Sequence, residues 1–261
     1  MKIGEAIDCI KKILDYKIEF DKDKFFEIRE KRKENIYAID GSSVKLFDAY
    51  SFSVFARRIG YIFANESKIL NEKIGEIAID IIYSENADDE NEIRREREEY
   101  EVLKECMEYG NGVVLYDGCL KEKIDGVVAI SKKSGIKIGN IPLLFLIKKF
   151  GDEIMPNKCW YYEIQKNVYA VKLHPYSRFA FRMDYYGNDV EDTLSKILSY
   201  CNDISCLGYP YPLAEIHKIV KIEKEEIEHL KYSMLQTAIE KGIKLDEWES
   251  LFFDYHKYIE G

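Results

Sequence analysis

The sequence lacks the features that mark membrane, secreted and zinc-binding proteins. No apolar run approaches the roughly 20 residues that a membrane-spanning helix needs, so we expect no membrane contact. The first 20 residues alternate charged and apolar side chains and show no signal-peptide cleavage site. The six cysteines form no CxxC pair and no cluster, which argues against a zinc site or a disulfide framework. These absences predict a cytoplasmic protein.

Positive charge is also in short supply, since the formal net charge is −9. A protein that holds nucleic acid by electrostatics alone is usually basic, so a simple DNA-coating protein is disfavoured. A metal-dependent nuclease stays compatible with this charge, because bound cations supply positive charge at the site itself. No linker or low-complexity tract interrupts the 261 residues, and we therefore predict one domain. Its core would span about 34–222, with an N-terminal helix over 1–33 and C-terminal helices over 223–261.

The order of the predicted strands and helices indicates a fold. β-Branched and aromatic residues predict a strand over 36–40, a strand within 44–64 that continues into a second one, and a third over 74–85. The elements predicted after these are a long helix over 87–110, strands over 112–117 and 126–131, a short helix over 141–151, two or three strands in 159–187, a helix over 189–203, a loop leading into a helix over 208–222, and mostly helix over 223–258. This order is typical of a ribonuclease-H-like α/β domain, a mixed sheet with flanking helices, here with a C-terminal helical extension. In that architecture the first and fourth strands lie side by side, and their ends carry catalytic carboxylates.

Two Asp-Gly pairs follow two of the predicted strands. The stretch IYAIDGSS over 36–43 places Asp40 after an apolar run, and GVVLYDGCL over 112–120 does the same with Asp117. A single Asp-Gly is a common turn dipeptide, so either pair alone would predict only a turn. Their repetition at the ends of strands that should be neighbours favours two carboxylates aimed at one point.

A third carboxylate lies on the apolar stripe of the helix predicted over 87–110. At about 100° per residue, Glu99 falls inside the stripe and Glu96 lies on it too. A carboxylate on a packing face is costly to bury unless it is paired or bound to metal. Alone, Glu99 would predict a stripe edge that reaches solvent; with Asp40 and Asp117 it supplies the oxygen ligands of a divalent cation. Other glutamates of this helix lie off the stripe and predict a solvated face: Glu98, Glu101 and Glu105.

Basic and aromatic residues further along the chain are candidates to assist such a site. VVAISKKSG ends a strand with Lys132 and Lys133, which predict either a solvated pair or an ammonium that neutralises a scissile phosphate. In GYPYPLAEIH, the two tyrosines Tyr209 and Tyr211 predict either core packing or a ring that stacks a base or orients phosphate. His217 predicts either a surface histidine or a metal ligand and proton donor. The other histidines have no comparable setting: His174, His229 and His256.

In this order, the stretches YAIDGSS, VVLYDGCL, VVAISKKS and GYPYPLAEIH, together with the helix glutamate, resemble the NurA family of nucleases over roughly residues 30–222. The resemblance implies a ribonuclease-H-like fold and manganese-dependent cleavage of DNA, with Mg²⁺ as the alternative metal. It implies exonuclease action from 5′ ends, endonuclease action on single strands, and a role in DNA end resection and double-strand break repair. It also implies a homodimer that works with a HerA-type hexameric ATPase.

The resemblance also assigns residues to the site. The predicted catalytic residues are Asp40, Glu99, Asp117, Lys132, Tyr209 and His217. The predicted metal ligands among them are Asp40, Glu99, Asp117 and His217. Three alternative registers stay open: Glu96 for the glutamate, Lys133 for the lysine and Tyr211 for the tyrosine. Cys119 stands where the family pattern usually shows serine after the second Asp-Gly.

Two other classes of function compete with the nuclease. A nucleotide-binding ATPase of the actin and hexokinase type also uses a strand followed by an Asp-Gly turn to meet phosphates. The sequence shows neither a later Gly-rich adenosine motif nor a Walker motif, so this class is less favoured. The third class is a non-catalytic assembly subunit that keeps the fold and docks onto a DNA translocase.

Overall fold

Twelve strands and seven helices make up the residues that this computed structural model describes, namely 2–30, 34–49, 51–65, 68–132 and 134–252. The strands are β1 (Phe25–Glu27), β2 (Ile36–Asp48), β3 (Ser53–Asn65), β4 (Lys68–Ile74), β5 (Ala78–Ile82), β6 (Val113–Asp117), β7 (Val127–Ser131), β8 (Lys137–Ile138), β9 (Ile141–Pro142), β10 (Trp160–Gln165), β11 (Val168–Lys172) and β12 (Phe181–Tyr185). The helices are α1 (Ile3–Asp15), α2 (Ala87–Tyr109), α3 (Leu143–Ile154), α4 (Val190–Ile197), α5 (Tyr211–Val220), α6 (Lys224–Glu240) and α7 (Leu245–Phe252). None of the helices in these stretches is long and apolar enough to cross a membrane.

The chain divides into two compact units. The first unit comprises residues 1–38, 63–70 and 110–214, and the second comprises residues 39–62, 71–109 and 215–261. Strand β2 therefore contributes its first three residues to the first unit and the rest to the second. The expectation of one domain stays a prediction.

The sheet of the first unit is built from apolar, β-branched strands. Its strand order is β1-β10-β11-β12-β7-β6-β2, with β2 represented by its first residues. β6 and β7 are parallel, and Asp117 pairs with Ile130 in their register. The amide of Val113 donates to the carbonyl of Asn35, at 2.8 Å, just ahead of β2. The predicted adjacency of the first and fourth predicted strands, which correspond to β2 and β6, is thus confirmed.

The second unit packs helices on the remaining parts of β2 and β3. β5 pairs antiparallel with β3, with Ser53 opposite Ile82. The buried core here includes Leu46, Val54 and Ile222, against which apolar residues of α6 and α7 pack. The predicted C-terminal helices therefore cover a β-sheet, as the apolar residues spaced along α6 require.

The predicted N-terminal helix over 1–33 is too long. α1 ends at Asp15, and after a 3₁₀ turn the chain forms β1, which pairs antiparallel with β10. The reason is aromatic packing: the Phe25 ring lies 5.3 Å from that of Trp160 and 4.6 Å from that of Tyr162. Rings on adjacent strands bury more apolar surface than one further turn of a charged helix would. Residues 31–33 lie outside the described part of the chain.

The strand predicted over 36–40 is too short, because β2 continues through Gly41 to Asp48. Asp40 therefore lies inside a strand and not at its end, so this Asp-Gly is not a turn. The third strand, predicted over 74–85, is β5 alone, and β4 precedes it as a separate strand that was not predicted. The short β8–β9 pair was not predicted either. The predictions of α2, β6, β7 and α3 are confirmed, and the two or three strands predicted in 159–187 are three: β10, β11 and β12.

Candidate active site

Asp40 and His217 form a close pair within the second unit. Asp40 is buried, with 5% of its side chain exposed, and its Oδ2 atom lies 2.7 Å from His217 Nδ1. Its other oxygen accepts a 2.8 Å hydrogen bond from the Gly41 amide. The His217 side chain, carried by α5, is 56% exposed. A carboxylate that bonds an imidazole fixes the ring's orientation and makes the ring a better base or ligand.

Glu99 lies against the same stretch of β2. Its side chain is fully buried, as its place on the apolar stripe of α2 predicts, whereas Glu96 is half-buried. A Cβ atom added to Gly41 would collide with Glu99 Oε1, so the glycine lets the carboxylate approach the Asp40 backbone. The second unit therefore brings the Asp40–His217 pair and the buried Glu99 to neighbouring positions on β2, at Asp40 and at Gly41.

Arg95 is the cation that accompanies the buried Glu99. It lies one turn earlier on α2, and its guanidinium bonds the Glu99 carboxylate and, at 3.2 Å, the Gly41 carbonyl. It also pairs with Glu92. Burying a carboxylate without such a partner would be costly. Sequence reasoning missed Arg95, although its spacing of four residues from Glu99 was a usable signal within the charged run.

Glu98, one of the glutamates assigned to a solvated face, has a buried structural partner. Glu98 bonds the guanidinium of Arg57, at 2.8 Å, and Arg57 is itself buried. Arg57 also bonds Asp80 and Asn91, which ties α2 to β3 and β5 within the second unit. The Glu101 side chain is 69% exposed, in agreement with the prediction.

Asp117 lies in the first unit, at the end of β6, as predicted. Its Oδ2 atom forms an ion pair with Lys132 Nζ, at 2.6 Å. The amide of Gly118 donates to the carbonyl of Ile130 on β7, and the chain bends at Gly118, directly after the aspartate. The second Asp-Gly therefore ends its strand, unlike the first. The rival lysine, Lys133, lies outside the described residues.

The loop after Asp117 is held by Asp184, which sequence reasoning also missed. Asp184 is buried on β12, accepts a 3.0 Å hydrogen bond from the Leu120 amide and pairs with Arg182. An aspartate inside an aromatic strand gave no pattern that would point to this role. The loop is thus fixed by a hydrogen bond to a buried carboxylate, and hydrogen bonds to charged acceptors are among the stronger ones.

Tyr209 is the aromatic neighbour of Lys132. The ammonium nitrogen of Lys132 lies 4.7 Å from the centre of the Tyr209 ring. Tyr209 is 4% exposed and packs against Phe181, which leaves little ring surface for stacking a base. The rival Tyr211 is half-buried at the start of α5. His174, for which the sequence predicted no role in the site, accepts a hydrogen bond from the Tyr176 amide.

The donor groups fit a divalent metal ion. Carboxylate oxygens with one imidazole suit hard and borderline cations such as Mg²⁺ and Mn²⁺. The six cysteines, all within the described residues, are free thiols, and burial raises the pKa of Cys106 to about 12. The protonated form of that thiol is a poor ligand for a metal.

Comparison with known proteins places this arrangement in a family context. Residues 147–222 match the family model described as the NurA domain. Over 83 residues the chain is 34% identical to the DNA double-strand break repair nuclease NurA of Sulfolobus acidocaldarius. The resemblance to the NurA family is confirmed. That alignment covers 32% of this chain and 23% of the relative, so it spans about a quarter of the relative's length.

Solved NurA structures share the fold. The NurA nuclease from Sulfolobus solfataricus superimposes with a TM-score of 0.66 at 16% identity, covering 94% of this chain and 96% of that one. A second NurA crystal structure gives 0.66 at 11% identity, covering 89% and 97%. At these identities the likeness shows the fold alone, and it confirms the predicted ribonuclease-H-like α/β class.

Proposed function

We propose that this chain is a metal-dependent DNA nuclease that acts in double-strand break repair. The observation that carries the proposal is the buried Asp40 carboxylate, bonded by His217 and flanked by buried Glu99. Its support is the NurA domain match over 147–222, which includes the helix that carries His217. A buried carboxylate bonded to an imidazole, with a second buried carboxylate nearby, is expensive for stability and typical of functional sites.

The residues divide into metal ligands and groups that act on the phosphate. We assign the metal, Mn²⁺ with Mg²⁺ as the alternative, to Asp40, Glu99, His217 and the remaining strand aspartate, Asp117. When bound, the metal polarises the phosphate and lowers the pKa of a water molecule. Lys132 supplies the positive charge that offsets the scissile phosphate.

The finer assignments come from the family resemblance. We infer 5′-to-3′ exonuclease action and single-strand endonuclease action in DNA end resection, a homodimer, and a HerA-type hexameric ATPase as the partner. The net charge of −9 supports a need for a partner, because the chain has little general attraction for DNA. The expected location is the cytoplasm.

The test is cleavage of labelled DNA by Asp40→Asn and Asp117→Asn variants in Mn²⁺ without ATP. Each change keeps the side chain's shape and removes its charge, so activity should fall at least about 100-fold while thermal unfolding changes little. The control is Asp125→Asn, since Asp125 belongs to a third Asp-Gly pair and its ion pair with Lys123 is exposed.

Normal cleavage by both variants would overturn the assigned site. Two outcomes for the wild-type chain would contradict the nuclease function itself. A chain that leaves DNA intact but turns over a nucleotide would point to the ATPase, and one that does neither would point to the assembly subunit.

A further inference from the structure

Lys132 is held on two sides by groups of different chemistry. Its ammonium contacts Asp117 Oδ2 at 2.6 Å and faces the Tyr209 ring, 4.7 Å from the ring centre. The remaining side is open, since 43% of the side chain is exposed. The four-carbon stem of a lysine is flexible, so its ammonium stays at a fixed position only if contacts such as these two hold it there.

The Tyr209 ring is a rigid platform. It packs at a tilt against the Phe181 ring, with ring centres 5.1 Å apart. The backbone amide of Tyr209 donates to the carbonyl of Cys206 at 2.8 Å. The preceding Gly208 has a φ of +87°, which only glycine adopts readily, and its amide donates to the carbonyl of Cys201. The loop therefore fixes the ring before any substrate arrives.

We propose that Tyr209 is a positioning residue whose ring holds the Lys132 ammonium beside Asp117. The face of an aromatic ring attracts a cation through its quadrupole, so the ring and not the hydroxyl is what Lys132 requires. The inference rests on the proposed function, in which Lys132 meets the scissile phosphate. With a metal bound, Asp117 would share its charge between the metal and Lys132, and the ring would be the contact that keeps the ammonium in place.

The kinetic test compares Tyr209→Phe with Tyr209→Leu. Phenylalanine keeps the ring, so the kcat for DNA cleavage should stay within about threefold of wild type. Leucine removes the ring, and kcat should fall about tenfold with KM little changed. The double variant Tyr209→Leu with Lys132→Met should be no slower than Lys132→Met alone, because both changes remove the same positioned charge.

Two kinetic results would overturn the proposal. Equal losses in Tyr209→Phe and Tyr209→Leu would assign the role to the hydroxyl. Additive losses in the double variant would show that Tyr209 acts independently of Lys132. Circular dichroism and thermal unfolding show whether Tyr209→Leu is folded. If it is not, the kinetics of Tyr209→Phe, with Lys132→Met as the reference for loss of the ammonium, and the Lys132 resonance in wild type and Tyr209→Phe still decide between ring and hydroxyl.

A spectroscopic test needs no activity. Lysines are methylated with ¹³C-formaldehyde, and the Lys132 resonance is assigned by its loss in Lys132→Arg. The ring current of Tyr209 should shift this resonance upfield in wild type and in Tyr209→Phe, and the shift should vanish in Tyr209→Leu. An unshifted resonance in wild type overturns the positioning role, whereas a shifted resonance in a chain that cannot cleave DNA supports it and overturns only the nuclease.

Discussion

Glu99 illustrates what a single buried carboxylate demands of its neighbours. It is fully buried on α2, it faces Gly41, which has no side chain to obstruct it, and Arg95 supplies the compensating charge. If the metal is bound by Glu99, its positive charge adds to that of Arg95 at the same carboxylate. If Glu99 is a metal ligand as proposed, Arg95 would hold its carboxylate in place before the metal binds, as groups next to metal ligands commonly do.

Replacing Glu99 by glutamine should separate ligand from bystander on the same helix. Glu99→Gln keeps the shape but removes the charge that a metal needs, so cleavage in Mn²⁺ should fall about 100-fold. Glu101→Gln is the matched control, because that side chain is 69% exposed and its loss should leave activity nearly normal. Metal binding by calorimetry should weaken in the first variant only. The opposite ranking would overturn the assignment, and a loss at Glu96→Gln instead would shift the ligand by one turn.

Part of the site could be predicted because its residues interrupt regular patterns. Asp40 and Asp117 end apolar runs, and Glu99 occupies an apolar stripe, so each is conspicuous in one dimension. Asp184 could not be found in this way, because its role depends on a contact with Leu120, far along the chain, which no local period records. For Arg95 the local spacing to Glu99 was a usable signal, but the contact with Gly41 was not visible in the sequence.

At the scale of elements, Arg58 ties the helix that carries His217 to β3 within the second unit. Its guanidinium donates to the carbonyl of Val220 at 3.1 Å, beyond which α5 ends, and also to that of Lys221. The same group forms two bonds to Glu226 on α6, at 2.9 and 3.0 Å. A planar guanidinium that donates to several acceptors at once holds them in fixed relative positions. This set of Arg58 contacts, called the Arg58 joint below, fixes where α5 ends.

The Arg58 joint should give stability a pH dependence. The hydrogen bond from Arg58 lowers the pKa of Glu226 below its ordinary value of 4.5. A depressed folded pKa contributes stability that is present above the unfolded value and is lost as pH falls through the folded one. Glu226→Gln should therefore lower the melting temperature at pH 7, and the difference from wild type should shrink below about pH 4.5.

Thermal unfolding of both proteins from pH 7 to pH 3 measures this difference. Glu225→Gln is the control, because Glu225 is the exposed neighbour on the same turn of α6. A gap between wild type and Glu226→Gln that stays constant down to pH 3 would show that the carboxylate charge does not stabilise the joint.

The order of the central elements was predictable, whereas strand lengths and four strands, β1, β4, β8 and β9, were not. Periodicity found α2 and the strands on either side of Asp117 because each has a simple pattern and clear ends. β2 runs past Gly41 because the glycine there accommodates the Glu99 and Ile59 side chains, a tertiary reason that overrides its turn propensity. α1 ends early because the aromatic residues after it pair with β10, again through distant contacts.

At the scale of the whole molecule, charge sets how the protein can meet DNA. Acidic residues outnumber basic ones by 48 to 39, so the molecule as a whole repels a polyanion. Attraction must then come from a few local cations, such as Lys132 and any bound metal. Few phosphate contacts mean weak binding with a shallow dependence on salt.

The chain alone should therefore bind DNA weakly and degrade long duplex efficiently only with the HerA-type ATPase and ATP. A translocating ring would supply the grip and the movement that a chain of net charge −9 lacks. Size-exclusion chromatography with light scattering should show a dimer, and a duplex-degradation assay with and without the ATPase measures the gain. The Asp40→Asn variant with the same ATPase is the control, since it separates cleavage by this chain from a contaminating nuclease. A strict monomer that digests long duplex alone, at a rate the ATPase does not change, would contradict both the partner and the argument from charge.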